Sequence, residues 1–544
     1  MPSATSTVTA IANSRTGQVR ISEWNFVVLF VFGLCILVSI PFALGRRLSF
    51  PDSRFTGQWG FEYDTNNYLA YAHQAASGSW LFHNPMTGEP HGDVFFNSEW
   101  LAMGKVAALL GISVGDAMYL QDLFSILLMC IAVYWLSSYL LASIFMRRFT
   151  LVAVMIGGGF GWLASLHLLH IPINTSYFLD LGVGLFPFFW ALTVPHFLVA
   201  QTFVVLGLVF VIRARESARV RDYVAAGLCY MIAGSCRPYD MLYLMSGTGL
   251  YLVISAVRNK TLRPVALLRD AVPILMCMPL LAYYYWIFKL HPVFRWWTFT
   301  GHNPPGPWIL TSSFGLALVC LGFALWRLRG RRISDAGILM LSCLLAATIL
   351  VYSHPIFHFC FQFATDIAVP MIMVGMMGLE GPVAEWRRKS HWADLCIISL
   401  LVMNSLTALA LTGQTVRAVM RGEFRIDTRM LEAYDWLDKH SQSRDVVLAD
   451  FVTSNRMPQY THNTAFCGYS NTVNRSEKEQ MVTLFLDPAT SNESRRDITQ
   501  QGGIRYVLLT ADEDRHVLEK VREAPFLQEV FRNGAAVVYA VQFH

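Results

Sequence analysis

The stretch WNFVVLFVFGLCILVSIPFAL, residues 24–44, decides how the rest of the chain is read. It carries no formal charge. A helix of that length rises about 30 Å, enough to cross the hydrocarbon core of a bilayer. The run is too long for the core of a signal peptide and follows a long tail, so it reads as an uncleaved anchor. Ten further apolar runs follow, near 118–145, 150–170, 183–212, 222–236, 239–257, 267–288, 308–326, 335–352, 363–381 and 392–413. The run at 222–236 is short. With its successor it forms either two spans or one broken hairpin around Arg237 and Pro238. The runs are continuous rather than alternating, which excludes an outer-membrane barrel. The expected fold is an α-helical polytopic membrane protein of about eleven spans, with a small carboxy-terminal α/β domain.

Composition agrees. The 544 residues are 54% hydrophobic and 15% charged, with a mean hydropathy of +0.42. Soluble chains run near about 25% charged. A large soluble enzyme, a disordered protein and a nucleic-acid binder with a basic face are therefore excluded. Ten Cys are too few for a disulfide scaffold. Most lie inside apolar runs, where Cys acts as a small apolar residue. Cys360 and Cys467 lie outside them, without CxxC spacing.

Charge is unevenly spread. Residues 1–413 hold 45 charged side chains, whereas the 131 residues after them hold 34. Alternate loops carry Arg147–Arg148, Arg213 to Arg221, Arg258 to Arg269, Arg327 to Arg332 and Arg387 to Lys389. These account for 17 of the 26 Lys and Arg before residue 414. The positive-inside rule places them in the cytoplasm, with the amino terminus, and places everything after residue 413 outside. Residues 1–23 read as a disordered cytoplasmic tail and 24–413 as the membrane domain with a large external loop at 45–117. Residues 414–544 read as an external domain. Its strand-like runs are 445–450, 505–510 and 535–543, with helical runs near 428–440, 475–486 and 513–522.

Within the first external loop, NNYLAYAHQAAS (66–77) and SEWLAMGKVAALL (98–110) read as surface helices, each followed by Gly and too short to span. Asp64 precedes the first. It suits either of two roles, N-cap of that helix or general base toward an acceptor at the membrane surface. Glu62 is the rival carboxylate.

Asp64-Thr65-Asn66-Asn67-Tyr68 is a D-x-x-x-Y arrangement at the start of a surface helix. It lies after a first span and before an NP-containing loop and a second surface helix ending in Leu-Leu-Gly. That order resembles the GT-C superfamily of polytopic glycosyltransferases. The resemblance covers about residues 24–257 and extends weakly to SNRMPQYTHNTAFCGYSNT (454–472). It implies a hexosyl- or pentosyltransferase in a bacterial inner or plasma membrane. The implied partners are a polyprenyl-phosphate sugar donor, a glycan, lipid or protein acceptor, and membrane lipids, with no nucleic acid. Asp64 would be the catalytic base of an inverting transfer. Asp180 matches, by topology alone, the acidic second loop that helps hold a metal or the donor phosphate. The usual Asp-x-Asp pair is absent, so no metal ligand is assigned and a divalent cation stays open as a cofactor.

Other candidates surround that reading. Arg237 in SCRPYD offers a planar fork to phosphate, while the adjacent Asp240 offers it a structural ion pair; Tyr239 lies between them. Arg295 and Lys289 suit interfacial anchoring or phosphate contact. Tyr68, His196 and His302 stand near expected membrane surfaces. His354 and His358 are four apart, as a helical metal site requires, but Pro355 intervenes. Gln362 and Asp366 follow at the top of the tenth span. GGGFG (157–161) reads as close helix packing inside the third span rather than a nucleotide loop. Two rivals stand beside the transferase. A transporter or flippase of a lipid-linked solute needs charges deep in the spans. A non-catalytic cell-envelope assembly protein would use 414–544 for recognition.

Overall fold

The computed structural model describes residues 17–164, 178–260, 264–297, 303–511, 513 and 515–542. The tail expected to be disordered lies, through residue 16, outside the described residues, as does His302. The chain forms two compact units. The first comprises 1–41, 122–281 and 301–416; the second comprises 42–121, 282–300 and 417–544.

Among the described residues, six helices are long and apolar enough to cross a membrane: Ile21–Arg47, Val114–Leu140, Pro195–Ser217, Pro238–Asn259, Val272–Leu290 and Cys360–Lys389. Two bent pairs raise the number to eight. Pro307–Phe314 meets Leu316–Leu328 at 94°, and Ala393–Asn404 meets Leu406–Met420 at 43°. Three runs lack a helix of that length, and residues 165–170 of the run at 150–170 lie outside the described residues. Val220–Cys236 and Asp335–Val351 have 17 residues each, and Ile144–Met155 has 12. At 1.5 Å per residue none of these three reaches about 30 Å. The chain breaks between helices at Arg237, which is extended, and Pro238 opens the next helix.

The first unit neutralises basic groups that the sequence assigns to loops. Arg147 is buried and donates to Glu23, which also accepts from Tyr134 at 2.7 Å. Arg215 pairs with the buried Asp270, which accepts from Tyr223 at 2.6 Å. A buried charge is tolerated only with such partners.

In the second unit, the helix Glu62–Ala76 packs on Ser98–Leu110. Gly104 makes this approach feasible, because a Cβ there would lie 2.2 Å from the Ala72 carbonyl oxygen. Asn97 caps the second helix through the amides of Glu99 and Trp100, and Gly111 ends it in the left-handed region. The first helix begins four residues earlier than its apolar pattern indicates, because Phe61 turns left-handed and supplies the N-cap position.

Seven strands are present among the described residues: β1 (Ser53–Phe55), β2 (Arg425–Asp427), β3 (Val446–Leu448), β4 (Thr464–Ala465), β5 (Ile504–Thr510), β6 (Leu527–Arg532) and β7 (Ala536–Val541). β1 pairs antiparallel with β2, tying the first loop to the carboxy-terminal segment. The other five form a sheet in the order β4-β3-β5-β7-β6. β3 runs parallel to β4 and β5, and β7 antiparallel to β5 and β6. Alternate residues feed two cores. Val507, Leu509, Val537 and Tyr539 enter one, whereas Leu508, Ala536 and Val538 enter the other.

Gly104→Leu should lower the unfolding midpoint of the full chain in detergent, by the roughly 1–3 kcal/mol typical of overpacking. Gly92→Ala, with nothing within 4 Å of its Cβ position, should be near neutral. Equal midpoints for both variants would contradict the packing described.

Candidate functional site

Asp64 lies in the first turn of Glu62–Ala76, where a carboxylate meets the positive end of the helix dipole. It is not the N-cap. That position belongs to Phe61, whose side chain makes no capping bond. Glu62 pairs with Arg456. Residues two apart on a helix point to nearly opposite sides, so Asp64 faces away from that ion pair. Asp64 and Tyr68 are four apart and share a face. Tyr68 stacks on Trp100 with centroids 5.1 Å apart. The D-x-x-x-Y spacing thus places a half-buried carboxylate beside an aromatic wall.

An amide network that sequence reading missed joins this helix to the segment 454–472, through Asn66 on the opposite face and through Asn67 and Tyr71 on the Asp64 side. Asn66 donates to Asn455 at 2.9 Å and accepts from Gln459 at 2.9 Å. Gln58 donates to Gln459 at 3.1 Å. Asn455 donates to the Tyr63 carbonyl at 3.2 Å. Asn471 donates to Asn67 at 3.4 Å and to the Tyr71 hydroxyl at 3.3 Å. All five amide residues named with Asn66 are buried. The available signals were the Asn66–Asn67 doublet and the amide-rich segment at 454–472.

The second unit also holds a cavity of about 700 Å³, lined in part by His83, Glu89, His91, Arg444, Lys478 and Gln500. Lys478 is 8% exposed and pairs with Glu89 at 2.6 Å. Burial draws its ammonium below the ordinary lysine range, and Glu89 opposes that shift. Burial, then the Arg444 charge, pushes His83 down to about 4, against the opposing Asp93 carboxylate. The 3.4 Å His83–Asp93 approach is therefore not an ion pair at neutral pH, whereas Arg444 to Asp93 at 2.7 Å is one.

In the first unit, Arg237 is 1% exposed. Its guanidinium donates to the Tyr239 hydroxyl at 2.8 Å, Thr365 Oγ1 at 2.9 Å and the Phe197 carbonyl at 3.5 Å. It lies 3.2 Å from Asp240 and 4.2 Å from the Phe197 ring centroid. The Tyr239 hydroxyl also donates to Gln362 at 3.5 Å. Asp240 and Asp366 are both buried, and their carboxylate oxygens accept no hydrogen bond among the described residues. His196 is buried next to Phe197, at the start of Pro195–Ser217. Five of the candidates, His196, Arg237, Tyr239, Asp240 and Gln362, are thus brought together where three helical segments begin.

Asp180 is buried elsewhere in that unit. One carboxylate oxygen accepts from the amides of Gly159 at 2.8 Å and Gly161 at 3.1 Å, and from Thr407 at 3.1 Å. The GGGFG run was expected inside the third span, but Ile144–Met155 ends before it. Its small residues admit the carboxylate, since a Cβ at Gly161 would lie 2.7 Å from Asp180. Asp180 is bound to this backbone rather than presented to an Asp-x-Asp-like site.

His354 and His358 are exposed, on turns rather than a helix, with ring centroids 5.8 Å apart. Pro355 in the segment removes the backbone donor that a continuing helix would use. Arg295 is exposed and lies 5.9 Å over Trp296, in the manner of an interfacial anchor.

Several solved structures share the fold these elements make. The structure of ArnT from Cupriavidus metallidurans bound to undecaprenyl phosphate matches with a TM-score of 0.54 and 13% identity, over 96% of this chain and 98% of that one. Mycobacterial arabinofuranosyltransferase AftD matches with 0.60 and 14% identity over 97% of this chain, which spans 42% of AftD. The apo oligosaccharyltransferase of Archaeoglobus fulgidus matches with 0.57 and 10% identity, over 90% and 69% of the two chains. No family model and no curated protein matches the sequence.

Between about pH 6.5 and 4, folded His83 binds fewer protons than the unfolded imidazole. Its contribution to stability is therefore full above pH 6.5 and is lost as pH falls toward 4. Burial lowers His91 too, adding a slope of the same sign. Thermal unfolding in detergent should show a midpoint that drops across this window, less steeply in His83→Gln. An unchanged slope in the variant would exclude His83 as a source.

Proposed function

We propose that the chain is an inverting glycosyltransferase of the GT-C type, with Asp64 as catalytic base. In this reading 24–413 is the membrane domain and 414–544 the external domain. The single observation that carries the proposal is the half-buried Asp64 sharing a helix face with Tyr68, in a fold like that of a protein solved with undecaprenyl phosphate. An acceptor hydroxyl attacks the anomeric carbon of a polyprenyl-phosphate sugar, and Asp64 takes its proton. The bond from that carbon to the phosphate oxygen breaks, and the polyprenyl phosphate leaves with the electron pair. Because phosphate is already a good leaving group, the protein's task is one base plus stabilisation of negative charge.

Arg237 is the proposed phosphate contact. Two features support it: its guanidinium fork and the helix starts at Pro195 and Pro238, whose amides favour anions. The buried carboxylates of Asp240 and Asp366 keep that guanidinium paired when no phosphate is present. Glu62 is assigned to structure through Arg456, and Tyr68 to the acceptor wall.

Release of undecaprenyl phosphate from a panel of undecaprenyl-phosphate sugars, with envelope lipids and glycans as acceptors, tests the assignment. Asp64→Asn and Asp64→Ala should each lower turnover by about 10²–10⁴-fold, with unchanged unfolding midpoints. Full turnover in both would overturn it. Arg237→Lys keeps the charge but loses the fork, and should raise KM for the donor more than it lowers kcat.

A further inference from the structure

His73, Asp438 and His462 meet in the second unit, away from Asp64, which lies more than two helical turns earlier. One ligand atom from each lies within 4.8 Å of the other two. Among the described residues this is the grouping of three His, Cys, Asp or Glu side chains with such spacing. His73 comes from the last turn of Glu62–Ala76, Asp438 from Thr428–His440 and His462 from the loop before β4.

The contacts within the group are incomplete in an informative way. His462 Nδ1 is 2.6 Å from Asp438 Oδ1, its backbone amide donates to the same oxygen at 2.9 Å, and its Nε2 is 3.1 Å from Ser77 Oγ. The His73 and His462 rings lie 5.0 Å apart at 53°. His73 Nε2 is buried and has no hydrogen-bond partner among the described residues. A ring nitrogen removed from water without a partner is an unexplained loss. Here it faces another imidazole and a carboxylate, the donor set that zinc takes. Ligand atoms around zinc stand about 3.3 Å apart for Zn–N bonds near 2.0 Å, so small side-chain rotations bring the three atoms into range. The His462 side chain is 43% exposed and that of Asp438 28% exposed, which gives an ion an entry path.

We propose that His73, Asp438 and His462 bind one zinc ion, with the fourth position open to water or Ser77. The ion clips the carboxy-terminal end of the Asp64-bearing helix to the carboxy-terminal segment. The proposal does not depend on the transferase reading, because its test does not use turnover.

The full chain, purified in detergent and stripped with chelator, is titrated with zinc by calorimetry and with cobalt by visible absorption. One equivalent per chain, with the intense visible bands of four-coordinate cobalt carrying nitrogen and oxygen ligands, is the expected result. His73→Gln and His462→Gln should each lose that equivalent, while His516→Gln, an exposed histidine elsewhere, should keep it. Absence of stoichiometric uptake by the folded wild-type chain overturns the proposal, whatever the variants do. So does full uptake by both His73→Gln and His462→Gln. Zinc should also raise the unfolding midpoint of the wild-type chain and not that of His73→Gln.

Discussion

Burying a side-chain amide commits a protein to finding it a partner. Leaving one unmet costs about 1–3 kcal/mol, while a satisfied bond returns only about 0.5–1.5. Asn66, in the middle of the Asp64 helix, is met by Asn455 and Gln459. That one requirement fixes the rotation of the helix about its axis. With Asn66 and Glu62 turned to the carboxy-terminal segment, Asp64 and Tyr68 turn the other way, toward Trp100. Gly104 then sets how closely the second loop helix approaches, and β1–β2 holds the loop by its other end.

The same rule operates on charge in the first unit. Arg147 meets Glu23, Arg215 meets Asp270, and Arg237 meets Asp240. The positive-inside rule counts basic residues rather than net charge, so such pairings do not enter it. The Arg237 cluster differs in having two buried carboxylates near one guanidinium. An anion entering there replaces one paired charge by another instead of being desolvated against nothing.

Much of this was legible in the sequence because it is periodic or local. Apolar runs gave the helices, and the caps at Asn97 and Gly111 matched the expected bounds of 98–110. β3 and β7 fall inside two of the expected strand runs, and β5 exceeds the third by one residue, Ile504. β6 was not visible, since LQEVFR alternates weakly and its outer positions are exposed. Two other differences between sequence and structure share a cause. Asp64 was offered as a cap and GGGFG as helix packing, yet Phe61 and Asp180 decide those places through left-handed backbone and a carboxylate about twenty residues away. The amide network and the His73–Asp438–His462 group were illegible for a different reason. Their members are separated by hundreds of residues, and no spacing rule connects them.

β1 and β2 pair Ser53 with Asp427. That pairing has a consequence for biogenesis. A ribosome working at about 5–20 residues per second emits Asn66 well before Asn455 exists. Throughout that interval the first loop has crossed no point at which its amides can be met by their native partners. Every intervening helix must also be inserted first, and the sheet awaits β7 at the far end of the chain. Such long-range closure is the slow kind. The Asp64 helix therefore acquires its final orientation only after Asn455 and Gln459 have emerged, so a chain truncated before them carries the carboxylate without the framework that aims it.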